Sequence, residues 1–576
     1  MTKITRKKAI VIGAGAGGIA IAARLAKSGF SVTVLEKNSF TGGRCSLLHH
    51  KGYRFDQGPS LLLLPNLFRE TFRDLDTSLE KEDVELLRCP TNYAVWFSDG
   101  EIFELTPDLA RMKTQIEHYE GKDGFKRYLS WLQESHDHYE LSVSEVLHKN
   151  FTSLWDLLAP RFVRTGLKIH PLNSIWGRAG QYFWTERLRR VFTFATMYMG
   201  MSPFDAPSTY SLLQYSELAE GIWYPRGGFH RVLEALVGVG KRDGVEYRLD
   251  TPVKRILTHE DGMTAKGVEL DSGETLDADV VVVNADLVYA YSNLFPQTPS
   301  TKRYAKSLKK RDSSCSSISF YWALDRKVPE LQTHNIFLAD EYRESFDAIF
   351  DRKELPKEPS FYVNVPSRVD PSAAPEGCDS IIVLVPTGHL LQSSTPSNPH
   401  PSPGLPHEQD WPALITQART AVLSIITART GCAPLAASII HESINDPRTW
   451  EARFNLDKGS ILGLGHGFLN VLAFRPSTRA RELRNTYFVG ASTHPGTGVP
   501  IVLAGAKITA EQILGDFGVE VPWRGRGVDG MEVGRKRGGG LGKLDKIEKP
   551  SSAVSMGLLV AVLLVLIWRY WILLFG

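Results

Sequence analysis

The sequence predicts an α/β protein: a parallel sheet assembled from discontinuous segments, inserted substrate and helical regions, and a C-terminal transmembrane helix. Three features carry this expectation. The first is a βαβ opening, with apolar runs at 8–12 and 31–35 flanking a helical pattern over 17–28 and the turn Gly13-Ala14-Gly15-Ala16-Gly17-Gly18 between them. The second is the return of strand patterns far downstream, as DADVVVVNAD at 277–286 and TYFV at 486–489, the latter followed by a helical pattern over 502–514. The third is the run AVSMGLLVAVLLVLIWRYWILLFG at 553–576, whose only charge is Arg569.

Composition narrows the possibilities. With 576 residues the chain is long enough for several structural units and an enclosed cavity. Sixty-seven Lys/Arg against 64 Asp/Glu leave only +3, too weak a field for a nucleic-acid binder. A hydrophobic fraction of 43% with 23% charged residues excludes global disorder and a polytopic transporter. Cys45, Cys89, Cys315, Cys378 and Cys432 are odd in number, scattered and without zinc spacing. They read as buried thiols in a reducing compartment, with no disulfide framework and no metal. Asn150-Phe151-Thr152 is a lone sequon, and His400 and His407 lack partner ligands, so neither is taken as a site.

The two ends differ in kind. Lys3, Arg6, Lys7 and Lys8 before an apolar run to Ala23 have the outline of a secretion signal, but glycines at 13, 15, 17 and 18 suit a nucleotide-binding turn instead. The C-terminal run is 24 residues, or about 36 Å of helix at 1.5 Å per residue, enough to span a bilayer. Trp568, Tyr570 and Trp571 suit the interface, and Arg569 can snorkel to it. Arg535, Lys536, Arg537, Lys543, Lys546 and Lys549 precede the run, which places the body in the cytosol and the anchor in a membrane such as the endoplasmic reticulum. Residues 521–552 hold eight Lys/Arg and four Asp/Glu, and Arg569 adds one more charge, so the first 520 residues stand at −2. The mean hydropathy of −0.16 thus averages a globular body and an anchor.

The order of patterns divides the chain at 104, 225, 290, 480, 520 and 552. Residues 1–104 and 226–290 are two parts of a nucleotide-binding domain, and 481–520 closes it. Residues 105–225 form a helical substrate or membrane-facing region. Residues 291–480 form a strand-containing substrate domain with a Pro/Ser-rich insertion at 393–407, while 521–552 is a basic, glycine-rich tether to the anchor at 553–576.

The opening turn is G-x-G-x-x-G after a strand and at the start of a helix, the pattern of a Rossmann-like dinucleotide-binding domain. Gly13 permits the tight turn, Gly15 lets a pyrophosphate approach the backbone, and Gly18 lets helix and strand pack closely. Glu36 lies eighteen residues beyond Gly18, placed to accept from both ribose hydroxyls, which favours FAD or NAD over NADP. Thr41-Gly42-Gly43-Arg44 offers backbone donors and a cation for a second phosphate contact. FAD is the expected cofactor, with NAD the alternative.

GAGAGG, EKN…TGGR, FDQGPS, the segment YPRGGFHRVLEAL at 224–236 and YFVGASTHPGTGVPIVLAGA at 487–506 together resemble phytoene desaturases of the bacterial and fungal type. The resemblance runs over roughly 8–515, and the C-terminal apolar run is similar to the fungal branch. It implies an FAD-binding fold of the amine-oxidase-like superfamily and stepwise dehydrogenation of phytoene towards lycopene or 3,4-didehydrolycopene. It also implies partly desaturated carotenoids as intermediates, a lipid bilayer as partner, and quinone or oxygen as electron acceptor; a homo-oligomer is left open. Gly58 and Val253 join the cofactor-binding set. Gly490 is followed by Ala491-Ser492-Thr493, where many related flavoproteins carry Asp, which leaves Gly490, Gly498 and Val499 to contact the flavin through their backbone.

Taking a hydride and a proton from neighbouring carbons requires a long apolar tunnel and a proton path. The run FTFATMYMGM at 192–201 suits either the tunnel wall or ordinary core, and WDLLAPRFVRTGLK at 155–168 suits either a bilayer headgroup region or a solvated helix. The catalytic candidates are His494, Arg226 and Asp56; Asp56 could instead cap its turn, and Arg226 could neutralise reduced flavin. Other readings are a related carotenoid isomerase or saturase, an amine oxidase (against which stands the lack of any Cys after Cys432), or a non-catalytic prenyl-lipid carrier of the same fold.

Overall fold

A strand covered on both faces is near-continuously apolar, as VVVV at 280–283 and AIVI at 9–12 are in the first sheet. In the computed structural model, which describes residues 6–158, 169–170, 173–391 and 409–524, Lys8–Ile12 (β1) lies at the middle of a five-stranded parallel sheet. Ser31–Leu35 (β2) and Val280–Val283 flank it, with Glu246–Arg248 and Thr486–Phe488 at the edges. Alternate side chains enter two cores. Ala9, Val11, Val32, Val34, Val280 and Val282 meet the helices Ala16–Lys27 (α1), His230–Arg242 and Val499–Asp516. Ile10, Ile12, Leu35, Val281 and Val283 meet a three-stranded antiparallel sheet over 253–277 and the helical stretch that follows Asp286. The closing helix starts at Val499, earlier than its apolar pattern, because Pro500 in the first turn gives up an N–H that has no partner there anyway.

A second sheet has seven strands, in the order Ile439–Asn445, Ser316–Leu324, Asp379–Thr387, Phe361–Asn364, His334–Phe337, Tyr93–Trp96 and Ile102–Leu105. All neighbours are antiparallel except His334–Phe337 with Tyr93–Trp96. Residues 93–105 therefore belong to this sheet and not to the nucleotide-binding part that the boundary at 104 gave them. The reason lies in their alternation: Ala94 and Trp96 face the core beneath helix Trp411–Thr430, while Tyr93 and Val95 face an aromatic cluster. That cluster is built largely from 105–225, whose longest helices are Leu109–Glu120 and Lys122–Ser142. The insertion 393–407, the tether beyond Arg524, the apolar run 553–576 and most of 155–168 lie outside the described residues. Among the described residues no helix is long and apolar enough to cross a membrane.

A chain of buried charges ties the first domain together. Arg24 on α1, 1% exposed, meets Asp74 at 3.0 Å; Lys507 on the closing helix reaches Asp74 at 3.2 Å and Glu70 at 2.6 Å. His148 completes it with a hydrogen bond to Glu70 at 2.9 Å. Burial pushes the Glu70 carboxyl up, but the His148 hydrogen bond and the Lys507 ammonium outweigh it and bring the group down to about 2. Removing Lys507 leaves Asp74 with Arg24 alone and Glu70 with His148 alone, at a cost bounded by the roughly 3–5 kcal/mol of breaking a buried ion pair outright. Lys507→Met is expected to lower the unfolding free energy within that bound in urea titration. The stability from Glu70 is fully present above its ordinary value of 4.5 and lost as pH falls towards about 2, so the variant should also show a flatter acid limb over that window.

Candidate functional site

The turn after β1 is built by closeness. Gly13 has φ +98°, and its N–H donates to Leu35 O at 2.8 Å across the sheet end. A β-carbon on Gly18 would stand 2.0 Å from Gly13 O, so Gly18 packs helix on strand, as its place in the motif predicts. A β-carbon on Gly15 would lie 2.9 Å from Asn284 Nδ2, and one on Gly17 2.8 Å from Asn284 Oδ1. Asn284 itself follows the strand Val280–Val283 and donates to Gly13 O at 3.1 Å. Gly15 offers no side-chain cap to α1, whose first turn holds no acid. Its leading amides are therefore open to an anion. Glu36, at the end of β2, accepts from the Ala14 N–H at 2.8 Å and from the Asn38 backbone and amide at 2.9 and 2.8 Å. Oε1 takes both Asn38 hydrogen bonds, and Oε2, with the Ala14 N–H alone, keeps a lone pair for a ribose hydroxyl.

These groups form one wall of a cavity of about 580 Å³. Gly13, Gly15, Glu36, Gly42, Gly43 and Arg44 line it, as do Gly58, Val253, Gly490, Gly498 and Val499; Gly18 stands behind. Arg44 has no ion pair among the described residues. Burial holds its guanidinium below the usual arginine value, with Cys45 and Asp286 as the nearby groups that oppose this. A half-buried cation with no ion pair among the described residues, open helix amides and a wall with no room for β-carbons fit the phosphates and riboses of a dinucleotide. Asn284 and Asp286 were not expected there. Their signal was the polar NAD triplet that abruptly ends the VVVV run, placed at the sheet edge where open α/β sheets bind ligands.

The same cavity is also lined by Met197, Tyr198, Met199, Tyr210, Phe468 and Leu472. Both expectations for 192–201 therefore hold in part, since Phe192 and Phe194 are core and Met197–Met199 face the cavity. Where an Asp was missing after Gly490, Arg475 organises the turn instead. It is 3% exposed and donates to the carbonyls of Leu464, Gly465, Asn470, Ala491 and Thr493. His466 accepts the Thr497 N–H at 3.0 Å, and a β-carbon on Gly496 would stand 2.8 Å from that nitrogen. No motif in the sequence marked Arg475 or His466.

None of the three catalytic candidates lines the cavity. His494 is 1% exposed, donates from Nε2 to Lys149 O at 2.7 Å and meets the Phe151 ring; burial pulls it down to about 4. It latches the closing turn to the helical region. The Arg226 side chain is 52% exposed and pairs with Glu85 at 2.6 Å. Asp56 accepts from the Phe229 N–H and the Tyr224 hydroxyl, both at 2.7 Å, with burial pushing it up to about 6. It secures the turn whose later residues, Gln57 to Ser60, do line the cavity.

Comparison with known proteins agrees with this geometry. Residues 16–393 match the family of flavin containing amine oxidoreductases. The chain is 58% identical to a phytoene desaturase of Cercospora nicotianae, over 98% of this chain and 97% of that protein. It is 64% identical to a phytoene desaturase of Neurospora crassa, over 90% and 87%. A zeta-carotene-forming phytoene desaturase of Myxococcus xanthus is 38% identical over 88% and 94%. Among solved structures, a triple mutant of putrescine oxidase has TM-score 0.57 at 13% identity, covering 89% of this chain and 99% of that one, a likeness of fold alone.

Gly15→Val places methyl groups where the pyrophosphate backbone contact is needed and against Asn284. The purified variant is expected to lose its bound-flavin absorbance while keeping its far-ultraviolet circular dichroism; a flavin spectrum equal to wild type would refute the assignment of this turn.

Proposed function

The chain belongs to the phytoene desaturase family of flavin-containing amine oxidoreductases, and from that premise we propose that it desaturates phytoene stepwise at a membrane, towards lycopene or 3,4-didehydrolycopene. The observation that carries this is the single cavity, in which the dinucleotide wall continues into a lining of methionine, tyrosine, phenylalanine and leucine. A hydrocarbon has no group for a polar site to grip, so its binding rests on apolar area, worth about 25 cal/mol per Å².

The cofactor is FAD. The open amides of α1 and Arg44 would hold its phosphates, Glu36 its adenosine ribose, and the turn 490–498 its ring edge. When bound, it accepts the hydride. The rest of the work falls to the chain. Burial within the cavity excludes water, the apolar lining holds the polyene against the ring edge, and N–H groups at the start of the closing helix favour negative charge there.

Delivery from a bilayer is part of the same reading. Phe468 and Leu472 line the cavity, and the turn Leu472–Phe474 packs against the turn Leu154–Leu158, where Trp155 is 78% exposed. Leu469, 38% exposed, lies beside them in sequence. An apolar surface there, together with the run 553–576, supports seating on the cytosolic face of a membrane such as the endoplasmic reticulum. Quinone or oxygen would reoxidise the flavin.

Purified protein in liposomes with phytoene and a quinone is expected to produce visible absorption bands that move to longer wavelength as the polyene lengthens. Absence of any such chromophore would overturn the desaturase reading. Deletion of 553–576 should move part of the protein from floated vesicles to the soluble fraction, and adding Trp155→Ser to the deletion should move most of the remainder.

A further inference from the structure

Each desaturation leaves a proton to be carried away, and His494, Arg226 and Asp56 stand outside the cavity. Tyr198 does line it. The Tyr198 hydroxyl is buried beside that of Tyr93, the two close enough to influence each other's proton though short of a well-aligned hydrogen bond, and the rings stack with centroids 6.2 Å apart and planes at 25°. The Tyr93 hydroxyl, also buried, donates to Glu217 Oε1 at 3.0 Å. Glu217 is 1% exposed, lies in the irregular turn Ser216–Glu220 and has no cation partner among the described residues. Its other oxygen accepts from Gln214 Nε2 at 3.2 Å. Around it, Gln214 Oε1 and Asn92 Oδ1 are buried without hydrogen-bond partners.

A carboxyl group buried in the core without a cation partner is costly and does not serve packing. A perturbed carboxyl set immediately behind a cavity wall is a candidate for proton chemistry. We propose that Glu217 is the proton acceptor of the desaturation, reached from the cavity through the hydroxyls of Tyr198 and Tyr93. The inference rests on the desaturase reading above. As the hydride leaves one carbon for FAD, the C–H bond of its neighbour breaks and that electron pair becomes the π bond of the new double bond. The proton passes to the Tyr198 oxygen, the proton of Tyr198 to Tyr93, and that of Tyr93 to the Glu217 carboxylate. Tyr198 is the residue that meets the substrate; Tyr93 and Glu217 act through it.

Burial holds Glu217 up at about 8, against the opposing hydrogen bond from Tyr93. The titratable groups around this cluster are Tyr93, Tyr198, Tyr362, His334 and Cys89. Burial keeps the tyrosines well above their ordinary value, pulls His334 down to about 3 and pushes Cys89 up to about 12. Between pH 6 and 9 Glu217 is the group here that changes charge, and its accepting form is the deprotonated one.

The test uses the full-length flavin-loaded enzyme in phytoene-containing liposomes. Wild-type kcat should rise with pH through about 8. Glu217→Gln should lower kcat by roughly 100-fold and abolish the rise with KM unchanged, whereas Glu217→Asp should retain it. Infrared difference spectra between pH 6 and 9 should show a buried carboxylic C=O band lost on alkalinisation, absent from Glu217→Gln and kept in Tyr198→Phe, which should itself be slow. Flavin absorbance equal to wild type serves as the folding control, and Tyr93→Phe, which keeps core volume, decides the matter if Glu217→Gln fails that control. Wild-type kcat and pH rise in Glu217→Gln, or in Tyr93→Phe with flavin bound, overturn the relay. No polyene from the wild type counts against the desaturase reading instead.

Discussion

One close approach governs the architecture: the oxygen of Gly13 lies where a β-carbon on residue 18 would have to be, at 2.0 Å. Only a glycine there lets α1 lean directly on the end of β1, and that lean aims the helix amides along the sheet edge. Because β1 is the central strand, its neighbours end at the same edge. β2 delivers Glu36 and Val280–Val283 delivers Asn284, so the ribose acceptor and the residue that closes over the glycines arrive together as a consequence of strand order. Ligand sites at the carboxyl ends of parallel strands follow from this geometry.

The closing helix transmits that constraint to the rest of the molecule. It packs on α1, carries the glycine-rich turn at its start and places Lys507 among Asp74 and Glu70 in its middle. Arg475 and His466 then hold the same turn through its carbonyls and the Thr497 N–H. The flavin-facing backbone is thereby fixed from two directions, by buried charge on one side and by a buried guanidinium with five carbonyl acceptors on the other. Neither contact supplies chemistry. Together they define where the ring edge and the apolar lining meet.

Much of the first domain was legible because its constraints are local. Lys8–Ile12 and Ser31–Leu35 are short, mostly apolar runs that read as buried strands, and the glycine spacing between them has no cheaper explanation than a phosphate turn. The site side chains were legible only where the backbone motif itself fixed them, as with Glu36 and Arg44. His494, Arg226 and Asp56 sit within motif segments yet point away from the cavity, because a motif constrains backbone and leaves its polar side chains free to serve as latch, surface pair or turn anchor. Arg475, His466 and Glu217 had the opposite fate. Each lies in unremarked sequence and takes its role from residues outside its own element: Arg475 and His466 from the turn at 491–497, and Glu217 from Tyr93, 124 positions away.

Those same meetings explain how a protein can act on a molecule with nothing polar to hold. Apolar burial is non-directional, so a tunnel binds every register of a polyene about equally and cannot by itself choose a bond. The choice has to come from fixed points along the path. One is the dinucleotide wall, immobilised by the glycines and Arg475. The other is the hydroxyl edge of Tyr198, backed by Tyr93 and Glu217. Both are anchored to different sheets, the first to the parallel sheet and the second to Tyr93–Trp96 of the seven-stranded one. The separation of those sheets thus sets which carbon pair lies between the ring edge and the Tyr198 hydroxyl.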